Sequence, residues 1–148
     1  MTERQKQSLY WNLASIHHKT LSNLQVVLLN QNQLEKLNIL IEIIDVQSLI
    51  PFDIRNDITK SIEKTNRVIF LDEDVPGGAT GYMMQKVLED QEAYNYLDSA
   101  PLTITSKNHR PAYGDDGDYF SKSNTDDVIE KCYELMHECN PKKYPRIF

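Results

Sequence analysis

The sequence holds no apolar run long enough to cross a membrane. The strongest, Ile39–Val46, is interrupted by Glu42 and Asp45 and falls far short of the ~20 residues a spanning helix needs. Met1–Lys19 likewise lacks an unbroken apolar stretch of signal-peptide length, so the expectation is a cytoplasmic chain with no membrane partner. Cysteine is as sparse: Cys132 and Cys139 are the only two. On one helix they would stand about 10 Å apart, beyond disulfide reach. No His or Cys joins them at finger spacing, which argues against zinc. Glycine numbers five, and none precedes Gly77. Basic residues are in deficit, 16 Lys+Arg against 22 Asp+Glu for a net charge of -6. A surface of that sign repels phosphate backbones, so nucleic acid is not expected as a partner.

What is present is ordinary for a globular chain. The 148 residues match one domain, and the 40% hydrophobic and 26% charged content argues against wholesale disorder. A chain of this length buries roughly two-thirds of its unfolded surface, enough for a core without staples.

Met1–Asn32 shows no clean period, with one short apolar run at Val26–Leu29 that suits a strand or a helical turn. Leu34–Leu37 looks like the end of a helix, closed by Asn38 in the left-handed conformation. Ile39–Val46 reads as a buried parallel strand. Asp53 suits a helix cap, and Ile54, Ile58 and Ile62 recur every four residues, predicting an amphipathic helix over Asp53–Lys64 closed by Asn66. Arg67–Leu71 is a second apolar strand, followed by the loop Asp72–Gly81. A helix is expected over Tyr82–Asp90 with Met83, Met84, Val87 and Leu88 on one face, a further turn at Ala93–Leu97, and a short strand at Leu102–Thr105. Lys107–Lys122 reads as a loop. Asn124 or Thr125 caps a last helix, Thr125–Cys139, striped by Val128, Ile129, Cys132, Leu135 and Met136. Alternating strands and helices of this kind predict an α/β fold, a doubly wound, mostly parallel sheet with helices on both faces.

Four groups of residues invite a chemical reading. Gly77–Gly81 opens a helix after a strand and could offer backbone N–H groups to an anion. Its spacing fits neither the dinucleotide fingerprint nor a phosphate-binding loop, and Asp72, Glu73 and Asp74 just before it oppose a phosphate. A tight turn admitting close backbone approach competes with that reading. The carboxylates Asp72–Asp74, with Thr103–Thr105 and Lys107 after the next strand, faintly suggest a phospho-receiver, but no acidic pair follows an earlier strand; a solvated acidic loop competes. Gly114–Asp118 lacks the longer ligand alternation of a calcium loop and reads as a polar turn. The adjacent rings of His17 and His18 would diverge on a helix, and His137 suits the end of the last helix. His109-Arg110, in a loop after a strand, is the histidine position with functional potential. The residues alone give no self-contained active site.

From Leu34 onward the order of motifs resembles a known family. Ile41–Asp53 (Ile-Glu-Ile-Ile-Asp-Val-Gln-Ser-Leu-Ile-Pro-Phe-Asp) is similar to a strand, an Asp-x-x-x-Leu turn and a Pro-x-Asp helix start. Ser61–Arg67, the pair Asp72-Glu73 followed by Gly77-Gly78, and Asn108–Tyr113 continue it. These segments resemble the C-terminal domain of the transketolase-like superfamily, in the beta part of thiamine-diphosphate-dependent 2-oxoacid dehydrogenases, particularly the branched-chain (2-oxoisovalerate) type. The front departs from it: that domain begins with an apolar strand, a Tyr-Gly-Ser turn and an alanine-rich helix, and Met1–Asn32 has no glycine for the turn. The expectation is therefore a divergent or frame-shifted segment over 1–33 and a transketolase C-terminal-like domain over 34–148.

The resemblance implies a domain of subunit assembly, one that in the complexes helps dock the acyltransferase core, and not a catalyst on its own. It implies thiamine diphosphate and Mg in the parent enzyme and none bound by this chain, because the Gly-Asp-Gly and Asn-Asn signatures of the pyrophosphate site do not occur. It implies a homo-oligomer or other subunits as partners. The contact candidates are Gly77, Gly78, Gly81, Tyr82, Met83, Met84, His109 and Arg110, with the aromatic tail Tyr144–Phe148 beside them. The alternative is a small independent α/β binding domain with an anion or phosphoryl site at the Asp72–Gly81 loop.

Overall fold

The computed structural model describes residues 12–16 as backbone, and 32–110, 113, 117 and 120–146. The expectations for Val26–Leu29, for His17 and His18, and for most of Gly114–Asp118 lie outside the described residues.

Four strands, β1 (Asn12–Ile16), β2 (Glu42–Val46), β3 (Val68–Leu71) and β4 (Leu102–Ile104), form one sheet in the order β2-β1-β3-β4. Every pairing is parallel. Parallel neighbours need crossovers, and these carry the helices. β3 shows why both faces are covered. All four of its residues are buried, and alternate side chains go to opposite cores. Val68 and Phe70 meet Ile58, Ile62, Met83 and Val87 on one face. Ile69 and Leu71 meet Leu34, Val128, Cys132, Leu135 and Met136 on the other. Full burial of such a side chain stabilises by about 1.5–3 kcal/mol. The doubly wound fold expected from the alternation is the one observed.

Local chemistry sets the helix ends. Residues 32–36 are helical, and the turn closes as a Schellman motif: Ile39 N donates to Leu34 O and Asn38 N to Glu35 O, each at 2.9 Å. Asn38 takes the left-handed conformation with φ 58. Leu34 and Ile39, which flank the motif, are buried in one core. Helix α1 (Asp57–Thr65) ends on the simpler αL motif, with Asn66 at φ 59 donating its N–H to Ile62 O. Helix α2 (Ala79–Gln85) runs into a π-helical turn, Lys86–Asp90, and then a 3-10 turn, Ala93–Tyr96. Helix α3 (Thr125–Cys139) starts on a full capping box, in which Asn124 Oδ1 accepts from the amides of Asp126 and Asp127 while the Asp127 carboxylate accepts from Asn124 N. Its Cys132 and Cys139 are both free, and burial pushes the Cys132 thiol up to about 12.

Four expectations are corrected. The front segment, although it departs from the family's pattern, supplies a strand of the same sheet: β1 lies between β2 and β3. Helix α1 begins at Asp57, not Asp53. Asp53 and Asn56 adopt positive φ of 33 and 55, which turns Ile54 out to 77% exposure; only Ile58 and Ile62 face the core. Asp53 still caps the helix from outside it, its carboxylate accepting from Asp57 N at 2.9 Å and Ile58 N at 3.1 Å. Helix α2 begins at Ala79, within the glycine loop. Finally, Tyr144 of the tail is no contact residue: it is 3% exposed, and its hydroxyl donates to Asn38 O at 3.1 Å.

Candidate functional site

In a parallel α/β sheet, sites form beyond the carboxyl ends of the strands. Three loops lie there: 47–56 after β2, 72–78 after β3 and 105–110 after β4. The second is stitched to the third. Asp72 N donates to Ile104 O at 3.0 Å and Ser106 N to Asp74 O at 3.0 Å, while the Ser106 hydroxyl donates to Glu73 O. Ser106 was no candidate in the sequence, since a lone serine carries no pattern.

The Asp72 and Asp74 carboxylates of this loop serve its own backbone. Asp72 is buried, and loss of solvent raises its pKa, opposed by hydrogen bonds from the amides of Glu73 and Asp74 and reinforced by the charges of Asp74 and Glu73. Asp74 Oδ1 accepts from Val75 N at 2.7 Å, and Gly78 N donates to Val75 O at 3.0 Å.

The glycines divide. Gly77 has φ +84 with open space around it, a conformation that favours glycine. Gly78 has no room: a Cβ there would collide with Asp74 Oδ2 and lie 2.8 Å from Asp74 Cγ and 3.1 Å from Val75 O. Gly81 has nothing within 4 Å of such a Cβ, so the close packing expected at all three holds for Gly78 alone, and against its own loop.

Of the residues that follow, Met83 is fully buried in the core with Phe70 and Val87, which corrects its placing as a contact candidate. Met84 packs against the same core and is partly buried. Tyr82 is half-buried, edge-on to Phe52 at 6.0 Å and with Lys86 Nζ 5.8 Å from its ring centroid. The Phe52 contact joins the loop after β2 to helix α2. That loop also bears the most exposed aliphatic side chains described, Ile50 at 85% and Ile54 at 77%.

His109 and Arg110 sit exposed on the loop after β4. His109 Nδ1 is 2.9 Å from Arg110 O, its ring 5.8 Å from Phe120. The Arg110 guanidinium lies 4.9 Å over the ring of Tyr113 and donates to its hydroxyl. Lys107 Nζ stands 3.4 Å from the Phe120 centroid. These contacts draw the residues toward one another and not toward the glycine loop.

A thiamine diphosphate–magnesium site needs carboxylate and amide oxygens free to hold the metal. Among the described residues no group of three or more His, Cys, Asp or Glu could hold a metal ion, and Asp72 and Asp74 face their own amides. The described residues do not fit that cofactor. No helix among them is long and apolar enough to cross a membrane.

A four-stranded parallel sheet wound on both faces, with its carboxyl-end loops knitted together, defines a doubly wound α/β domain. Residues 22–120 match the family model "Transketolase, C-terminal domain", and the chain belongs to that family. Among curated proteins it is similar to the pyruvate dehydrogenase E1 component subunit beta of Mesostigma viride, 34% identical over 96 residues, covering 64% of this chain and 28% of that one. The protein of the same name from Chlorokybus atmophyticus is 35% identical over 89 residues, 60% of this chain and 26% of its own. That of Rhizobium meliloti (strain 1021) is 29% identical over 107 residues, 69% and 23% respectively. The chain spans about a quarter of the length of these relatives.

Proposed function

We propose that the chain is the C-terminal domain of the beta part of a 2-oxoacid dehydrogenase decarboxylating component, serving subunit assembly and docking rather than catalysis. The observation that carries this is the carboxyl-end loop Asp72–Gly78, whose oxygens are turned onto its own backbone and onto Ser106. A loop so occupied shapes a surface instead of binding a substrate. Its partners are other subunits of such a complex, including a second copy and the acyltransferase core. The relatives' names favour pyruvate over the branched-chain acid. Thiamine diphosphate and Mg belong to the remainder of the parent enzyme, not to this domain. A cytoplasmic setting is part of the same proposal; the free thiols Cys132 and Cys139 suit a reducing compartment.

An anion or phosphoryl site at the same loop has the geometry against it. The Asp74 carboxylate already lies against Gly78, where the anion would approach, and α2 is only seven residues long.

Sedimentation tests the assembly reading. The chain is mixed with the Rhizobium meliloti pyruvate dehydrogenase E1 component, its beta subunit shortened by the matched part. Co-sedimentation at micromolar concentration is expected. Two separate boundaries at every ratio would refute it.

A further inference from the structure

We draw no further inference here: the strongest candidate, the groove along α3 where Glu130, Glu134 and Glu138 flank Leu37, Ile129 and Tyr133, carries nothing, because nothing among the described residues shows what covers it.

Discussion

A glycine is replaceable or not for reasons that differ along five residues of one loop. At Gly77 the positive φ is the constraint, so Gly77→Ala should cost about 1 kcal/mol although its Cβ meets nothing. At Gly78 the constraint is the Asp74 carboxylate, and Gly78→Val should cost about 1–3 kcal/mol. At Gly81, inside a helix and in open space, alanine should be neutral or stabilise by up to about 1 kcal/mol. Urea midpoints of the three variants check the order; a Gly81→Ala as damaging as Gly78→Val would sink it. Asp72 supplies a second test. Its folded pKa is raised by burial above the ordinary 3.8, so between that value and the raised one the native state binds more protons than the unfolded. Stability therefore falls as pH rises through this window. Asp72→Asn, which cannot ionise, should remove that contribution to the slope of unfolding free energy against pH. A slope identical in both proteins would refute the assignment.

Elements were legible where their signals are local. Asn38, Asn66 and Asn124 end or start helices through hydrogen bonds to residues within a few positions, and each acts where its sequence context places it. Asn124→Ala should therefore destabilise by about 1 kcal/mol, read from the thermal midpoint; an unchanged midpoint would show the capping box to be dispensable. The apolar strand β3 was equally plain, since all four of its residues are buried. Three features were not legible. Asn12–Ile16 (Asn-Leu-Ala-Ser-Ile) mixes polar and apolar residues, and its strand identity comes from partners far along the chain. Ile54 has the spacing of Ile58 and Ile62, yet the left-handed backbone at Asp53 and Asn56 takes it off the helix, an outcome that spacing does not encode. Met83 and Met84 suit core or contact equally by type; only the fold assigns Met83 to the core. At the candidate site the paired glycines and acidic loop were visible, while Ser106 acts through contacts between loops distant in sequence.

At the scale of the molecule, two cores share one sheet, so damage to either should be felt by the whole. Met84 packs on the core that holds Phe70 and Val87. Met84→Glu should accordingly lower the urea midpoint, by about 1–3 kcal/mol in stability, rather than merely separate copies of an intact domain. Loss of association with an unshifted midpoint would reverse that assignment and return Met84 to the contact surface.

The position of β1 governs when this domain can fold. Asn12 is paired in register with Glu42 on one side and Val68 on the other, so the strand precedes both of its neighbours in the chain yet holds them together. Until Leu71 has been made, β1 has at most one flank satisfied, and β2 has no route to β3 except through it. Each pairing closes a long loop before it returns any energy, which is the signature of slow formation. A nascent chain would thus consolidate its sheet late, once β1 is gripped from both sides.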